Sequence, residues 1–437
     1  MKTNRKVVTE RTHEGAPAVS VSAEAQLRRT VMTSLLWESN FYEDGQSVAD
    51  RVATLVPLID PIKVQGMAIE ARTLQRLRHM PLLLCRELAY GHALDAETLA
   101  AVIQRPDEMG EFLSLYWGGS DRRKSVHRTL TNQTKRGLRL AFPKFDAYQL
   151  AKWDKAKAGI SLAQVLRLVH PTPADDVQAA LWKQVKEGTL APPDTWEVAL
   201  LRGEEKGATF TRLLTENRLP YMAMLQNLRN MRDAGVEMSL VGDALQKGAA
   251  AAKALPFRYV AAARAVPQWE PILDVAMQTA LGAMDKLPGK TVLLVDVSGS
   301  MEWKLSDRSE LRRVDAAAAL AAMLAGVCER FEVYGFSQQL FTIPSRQGFG
   351  LIDAITRLVG GGTAMGAAVG YINAHLPYDR LVVITDEQSS DRVPDPAGRG
   401  YCINVANAEH GVTYRKWVHI DGWSEACVRF VQEYEKG

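Results

Sequence analysis

The chain has 437 residues, is 47% hydrophobic and carries 53 Lys+Arg against 50 Asp+Glu, which excludes the disordered and fibrous classes and exceeds what one hydrophobic core organises. No apolar stretch reaches the roughly 18–20 residues of a membrane span, and MKTNRKVVTERTHEGAPAVSVSAEAQ has no apolar run behind its basic start, against a secretory leader. Cys85, Cys328, Cys402 and Cys427 lie far apart without C-x-x-C spacing, against structural zinc and disulfides; a reducing cytoplasm is the expected setting.

Residues 1–24 read as a flexible tail. From 25 to 285 the pattern is helical nearly throughout, with apolar residues three and four apart in AEAQLRRTVMTSLLW, PIKVQGMAIEARTLQRLRHMPLLLCRELAYG and TFTRLLTENRLPYMAMLQNLRNMRDAG. Gly and Pro punctuate these runs at short intervals, as expected of helical pairs joined by short turns. At LPGK the texture changes. TVLLVDV is a continuous apolar, β-branched run typical of a strand covered on both faces. The helix VDAAAALAAMLAGVCERF, the strand FEVYGFS, a helix near 350–358, a helix after GGGTAMG and the strand RLVVITD follow. Strands near 400–406 and 414–420 and the helix WSEACVRFVQEY complete a doubly wound, Rossmann-like α/β domain over 286–437.

Charge is unevenly placed. Residues 1–285 carry a net +5 and residues 286–437 a net −2, while 122–157 alone carry +9. In YWGGSDRRKSVHRTLTNQTKRGLRLAFPKFDAYQLAKWDKAKAG the cations interleave with Tyr116, Trp117, Tyr148 and Trp153. Such a stretch suits phosphate contacts with stacked bases, or else a solvated helix face above core aromatics.

Three segments of the α/β domain place oxygen ligands where strands end: Asp296, Ser298 and Ser300 in D-x-S-x-S, Thr363 in GGGT, and Asp386 closing VVITD. Two carboxylates and three hydroxyls, without nitrogen or sulfur, suit Mg²⁺. The three in this order resemble the metal-ion-dependent adhesion site of von Willebrand A domains. Its expected use is recognition, with a partner's carboxylate completing the shell. His375, His410 and His419 are scattered in sequence, and no nucleophile–base pair or phosphate loop is legible.

SLAQVLRLVHPTP (161–173), MLQNLRNMRDAGV (224–236) and ALPFRYVAAARAV (254–266) complete a second resemblance. With the following DVSGSM they resemble the Ro ribonucleoprotein family, in which a helical TROVE module precedes an A domain. The resemblance implies a ring of HEAT-like helical repeats over 25–285. It also implies binding of small structured Y-like RNAs on the outer surface and of single-stranded 3′ ends of misfolded RNAs in the ring. Carried over by position, Arg167 and His170 match its L-L-R-L-x-H, and Lys155 and Lys157 its basic lead-in. Arg122, Arg123, Lys124, His127 and Arg128 fall in the region lining the hole, with Lys135, Arg136 and Arg139 following on a basic stripe. The lysine that the family often has between histidine and proline is missing from HPTP.

The expected function is therefore noncatalytic RNA binding in quality control or ribonucleoprotein scaffolding, with an exoribonuclease reached through a tethering RNA. The alternative is a Mg²⁺-dependent module docking an acidic protein on the A domain. A Mg²⁺ nuclease or phosphatase is the weakest reading, because no base or second metal can be named.

Overall fold

The computed structural model describes residues 10–11, 17–20, 22–33, 45–74, 77–118, 129–154, 159–252, 254, 256–304, 311–405, 412–413, 416–421 and 425–435. The chain divides into two compact units, one holding 23–37 and 44–198, the other 1–22, 38–43 and 199–437.

In the first unit, consecutive helices stack as pairs. Pro61–Thr73 packs on His79–Tyr90 and on Ala96–Val102; His79–Tyr90 packs on Asp107–Trp117, and Ala96–Val102 on Asn132–Ala141. Local chemistry fixes the ends. Asp60 caps Pro61–Thr73 by accepting from the Ile62 amide at 2.9 Å, with Pro61 at the first helical position. Ser161 and Gln164 form a reciprocal capping box at the start of Leu162–Val169, and that helix stops at His170, which turns left-handed at φ 48°. The core between the layers includes Leu82, Leu84, Phe112, Leu138, Phe142 and Leu166. Within it the Arg72 guanidinium donates to Glu108 at 2.6 Å, and the second carboxylate oxygen of Glu108 accepts the Gln104 and Arg105 amides. A buried charge is tolerated there because its lone pairs are satisfied.

The second unit contains a six-stranded sheet. Across it the order is Leu340–Ile343, Cys328–Phe336, Leu287–Asp296, Arg380–Thr385, Arg399–Asn404, Val418–Asp421, all parallel except the Leu340–Ile343 edge. Val292, Leu293, Leu294 and Val295 are wholly buried, which explains their unbroken apolar run. Asp296 and Thr385 end neighbouring central strands on the same edge.

Helix Arg313–Val327 is buried on nearly every face, which is why it is built of alanines. One side covers the sheet, and the other is covered by Pro256–Ala265 and Glu270–Gly282. Asp274 of the latter accepts the Phe349 amide at 2.9 Å, at the start of helix Gly348–Thr356, and Arg264 donates to Asp315. The change of texture at 286 thus marks the passage from helix to sheet, whereas the compact units divide at 198/199. Stacked pairs recur before the sheet: Lys206–Thr215 on Met238–Ala252 on Glu270–Gly282, and Tyr221–Asp233 on Pro256–Ala265.

The helical and α/β fold classes are those expected from sequence. The N-terminal tail differs from expectation: Glu10–Arg11 pairs with Pro17–Ser20, which pairs with Val412–Thr413. PAVS is thus the middle strand of a small three-stranded sheet, a run too brief to separate from a loop by period alone.

Candidate functional site

The three oxygen-bearing loops meet at the carboxyl edge of the sheet, stitched by backbone. The Gly299 amide donates to the Gly361 carbonyl at 2.9 Å and the Gly360 amide to Val297 at 2.8 Å, joining the first loop to the second. The Ser390 amide donates to the Thr363 carbonyl at 2.8 Å, joining the second to the third. Gly361 is left-handed at φ 89°, a conformation that favours glycine. A Cβ on Gly366 would lie 2.2 Å from the Arg392 carbonyl oxygen, so helix Met365–His375 reaches the third loop only with glycine there. Asp391 accepts the Gly366 and Ala367 amides, both at 2.7 Å, and caps that helix from across the site.

All five expected metal ligands lie in this region and are buried or nearly so. Asp296 and Asp386 are wholly buried, Ser298 and Thr363 close to it, and Ser300 is part-buried. Asp296 is held through both oxygens: Oδ1 accepts the Ser298 amide at 2.9 Å, and Oδ2 the Thr385 hydroxyl at 2.6 Å. Ser298 Oγ lies 3.2 Å from Ser300 Oγ. Burial, and then the charge of Asp386, pushes the Asp296 carboxyl up from its ordinary value. Asp386 Oδ2 is buried without a hydrogen-bond partner. An orphaned carboxylate oxygen beside a second buried carboxylate and a hydroxyl pair fits a hard divalent cation. Arg313 also stands here, its Nη1 3.6 Å from Asp386 Oδ2, with both side chains buried.

The residue after Asp386 carries a network that sequence reading did not reveal. Glu387 is left-handed at φ 62°, costly for a non-glycine residue. His419 Nδ1 sits 2.5 Å from its Oε1, and Asn404 Nδ2 donates to its Oε2 at 3.3 Å. Cys402 completes a group of three potential ligand atoms lying within 4.8 Å of one another, and its sulfur is wholly buried. Residues scattered in sequence meet because three adjacent parallel strands end side by side: Cys402 and His419 are partners in register. The only sequence signal is that each lies in or just beyond such a strand.

Of the expected RNA-contact residues, Arg122, Arg123, Lys124, His127, Arg128, Lys155 and Lys157 lie outside the described residues. The remainder fall on two packed helices, Asn132–Ala141 and Leu162–Val169. Arg136, Arg139, Arg167 and His170 are exposed, and Lys135 is half-buried. Arg139 Nε donates to the Val169 carbonyl, tying its helix to the residue before His170. Arg136 pairs with Glu97 at 2.7 Å. The interleaved aromatics divide: Tyr116 is core, Trp117 packs against it, and the Trp153 ring is covered by the Arg105 guanidinium 3.5 Å from its centroid. Tyr148 is the exposed one, 46% accessible. No helix among the described residues is long and apolar enough to cross a membrane.

A mostly parallel α/β sheet with this loop constellation at its carboxyl edge, in one chain with stacked helical pairs, defines a helical-repeat protein carrying a von Willebrand A-type domain. Residues 176–280 match the TROVE domain family. The chain is also similar in structure to the Ro (RSR) protein of Deinococcus radiodurans, with a TM-score of 0.61 at 20% identity, over 95% of this chain and 100% of that one. No curated protein matches the sequence. The TROVE segment and the shared fold bear out the resemblance to the Ro ribonucleoprotein family. Two of the three helical signatures, 224–236 and 254–266, lie inside the matched segment, and 161–173 precedes it.

Proposed function

We propose that this chain is a noncatalytic RNA-binding protein of the Ro type, engaging small structured RNAs and single-stranded 3′ ends in RNA quality control or ribonucleoprotein scaffolding. The observation that carries the reading is the TROVE segment within a Ro-like fold. The exposed Arg136 on Asn132–Ala141 and Arg167 on Leu162–Val169 support it: Arg136 has a surface pair with Glu97 that is worth little in water, and both guanidinium groups can turn to phosphates. An exoribonuclease joined through a tethering RNA is the expected partner, in a cytoplasmic setting.

The deciding experiment is a binding titration at two salt concentrations. It compares a hairpin RNA with a single-stranded 3′ tail, the same hairpin blunt, and a duplex DNA. Preference for the tailed RNA, falling steeply with salt, is expected. Equal weak binding to all three would overturn the proposal. It would favour instead the Mg²⁺-dependent docking of an acidic protein on the A domain.

For the metal, Asp296, Ser298, Ser300, Thr363 and Asp386 would hold Mg²⁺, directly or through water, and the ion would supply a point of attachment for an anionic group. Asp296→Ala and Asp386→Ala should each abolish stabilisation by Mg²⁺ while leaving the far-UV circular dichroism unchanged. An unchanged thermal response to Mg²⁺ in both variants would rule out this ligand set.

A further inference from the structure

The orphaned oxygen of Asp386 and the guanidinium beside it pose a question of charge. Arg313 is 4% exposed, and its Nη1 is 3.6 Å from Asp386 Oδ2. That is within ion-pair range and well beyond the roughly 2.7–2.9 Å of a charge-assisted hydrogen bond. Asp386 Oδ2 therefore feels the positive charge without being committed to it, and it has no hydrogen-bond partner. Asp296, by contrast, already accepts one hydrogen bond on each oxygen, from the Ser298 amide and the Thr385 hydroxyl, which fixes its orientation and leaves lone pairs for an ion. A cation entering the site thus meets a prepared Asp296, an open Asp386 oxygen and a fixed guanidinium.

We propose that Arg313 is the site's own counter-cation: it balances one buried carboxylate when no metal is present, opposes the entry of Mg²⁺, and leaves the loaded site net positive. Two carboxylates and one guanidinium sum to −1, and a divalent ion takes the sum to +1. An anionic ligand then restores neutrality, so metal and anion bind cooperatively. With a neutral residue at 313, the loaded site would be neutral already and the coupling would keep only what direct coordination of the anion supplies. The fold holds Arg313 at this post: it is the first residue of the buried helix Arg313–Val327, whose start is fixed by the Arg312 amide donating to Asp315 at 2.6 Å and by Arg264 donating to the same carboxylate. Buried among packed elements, its charge is little screened by salt.

This inference rests on the proposed metal site, and the test separates the two. Mg²⁺ is titrated calorimetrically into chelator-treated wild type, Arg313→Met and Arg313→Lys, with and without acetate as the anionic probe. Arg313→Met should bind Mg²⁺ at least about tenfold more tightly without acetate, since a like charge close to the ion has been removed. Acetate should tighten Mg²⁺ binding to wild type and Arg313→Lys clearly more than to Arg313→Met. Weaker Mg²⁺ binding by Arg313→Met, or equal acetate coupling in all three, would overturn the proposal. In parallel, metal-free proteins are melted: Arg313→Met should lower the midpoint, and adding Asp386→Asn should restore much of the loss. If no variant binds Mg²⁺, the metal reading fails, and the melts still decide whether Arg313 balances Asp386. A loss that Asp386→Asn does not relieve would refute that role.

Discussion

Thr385 donates its hydroxyl to Asp296 Oδ2 at 2.6 Å, so the last residue of one central strand orients the carboxylate that ends its neighbour. Both side chains are wholly buried, and the same Thr385 oxygen accepts the Glu387 amide at 3.1 Å. One hydroxyl thereby couples the first and third loops of the candidate metal centre.

Thr385→Val keeps the shape of the side chain and removes that coupling. It leaves a buried carboxylate oxygen and a buried amide short of a partner, a loss of about 1–3 kcal/mol for each group stranded. We expect a lower midpoint in urea and a Mg²⁺ response weakened several-fold. Thr385→Ser, which keeps the hydroxyl, should retain most of that response. Equal Mg²⁺ affinity in Val and Ser variants would show that Asp296 needs no such positioning.

The candidate metal centre was largely legible in the sequence because the residues proposed to hold the ion are local: D-x-S-x-S, GGGT and a strand-ending Asp each announce themselves within a few residues. The residues that condition them were not. Thr385 reads as one more β-branched strand residue, and Arg313 as one cation in the basic pair before an alanine-rich helix. Glu387, Asn404 and His419 meet through strand register, which no spacing encodes. The basic segment shows the converse. Its net charge was countable, yet Lys144 donates to the Ala100 and Ile103 carbonyls at the end of helix Ala96–Val102, and Arg139 to Val169. Part of that charge therefore satisfies helix ends rather than facing a ligand.

A buried ion pair fixes the far edge of the sheet domain. The Arg380 side chain is 2% exposed and donates through Nε to Glu435 at 2.8 Å and through Nη1 to Thr291 at 2.9 Å and to the Pro288 carbonyl at 3.0 Å. Arg380→Met leaves the Glu435 carboxylate with the exposed Arg399 guanidinium and the Tyr401 hydroxyl, both at 3.0 Å, so the loss should fall below the roughly 3–5 kcal/mol of a buried charge left wholly unpaired. Burial pushes the Glu435 carboxyl up, but the Arg380 hydrogen bonds and charge, with the Tyr401 hydroxyl and the Arg399 charge, together outweigh it and hold it below its ordinary value. The pair's contribution is thus present above the usual carboxylate range and lost as pH falls through the depressed value. Wild type should lose stability on acidification more steeply than Arg380→Met; parallel pH profiles would refute this account.

In the first unit, burial, reinforced by Arg78 and Arg105, pushes the His79 imidazole down to about 4 from its ordinary 6.5. The folded unit therefore holds His79 neutral over a range in which the unfolded chain protonates it. Its contribution is complete above about pH 6.5 and declines as pH falls from there toward 4. Urea midpoints taken at pH 7 and pH 5 should differ less in His79→Asn than in wild type. An identical pH difference in both proteins would show that other groups carry the acid sensitivity.

The RNA reading makes a prediction about salt. Arg167 and His170 are exposed at the end of Leu162–Val169, and Arg136 is exposed on the neighbouring helix. Arg139 is a poor choice for a test, because its bond to the Val169 carbonyl makes any loss ambiguous between fold and ligand. Arg136→Glu and Arg167→Glu avoid this: Arg136 has only a surface pair with Glu97, worth little in water, and Arg167 a long contact of 3.4 Å to the Lys186 carbonyl. If both guanidinium groups meet phosphates, each substitution should weaken binding to all RNAs alike and lower the salt slope by about one. Charge reversal at Arg122, Arg123, Lys124 and Arg128 should weaken binding further, and Asp296→Ala far less than either. Equal losses from the cation and metal variants would mean that the metal centre itself takes part in holding RNA, against this reading.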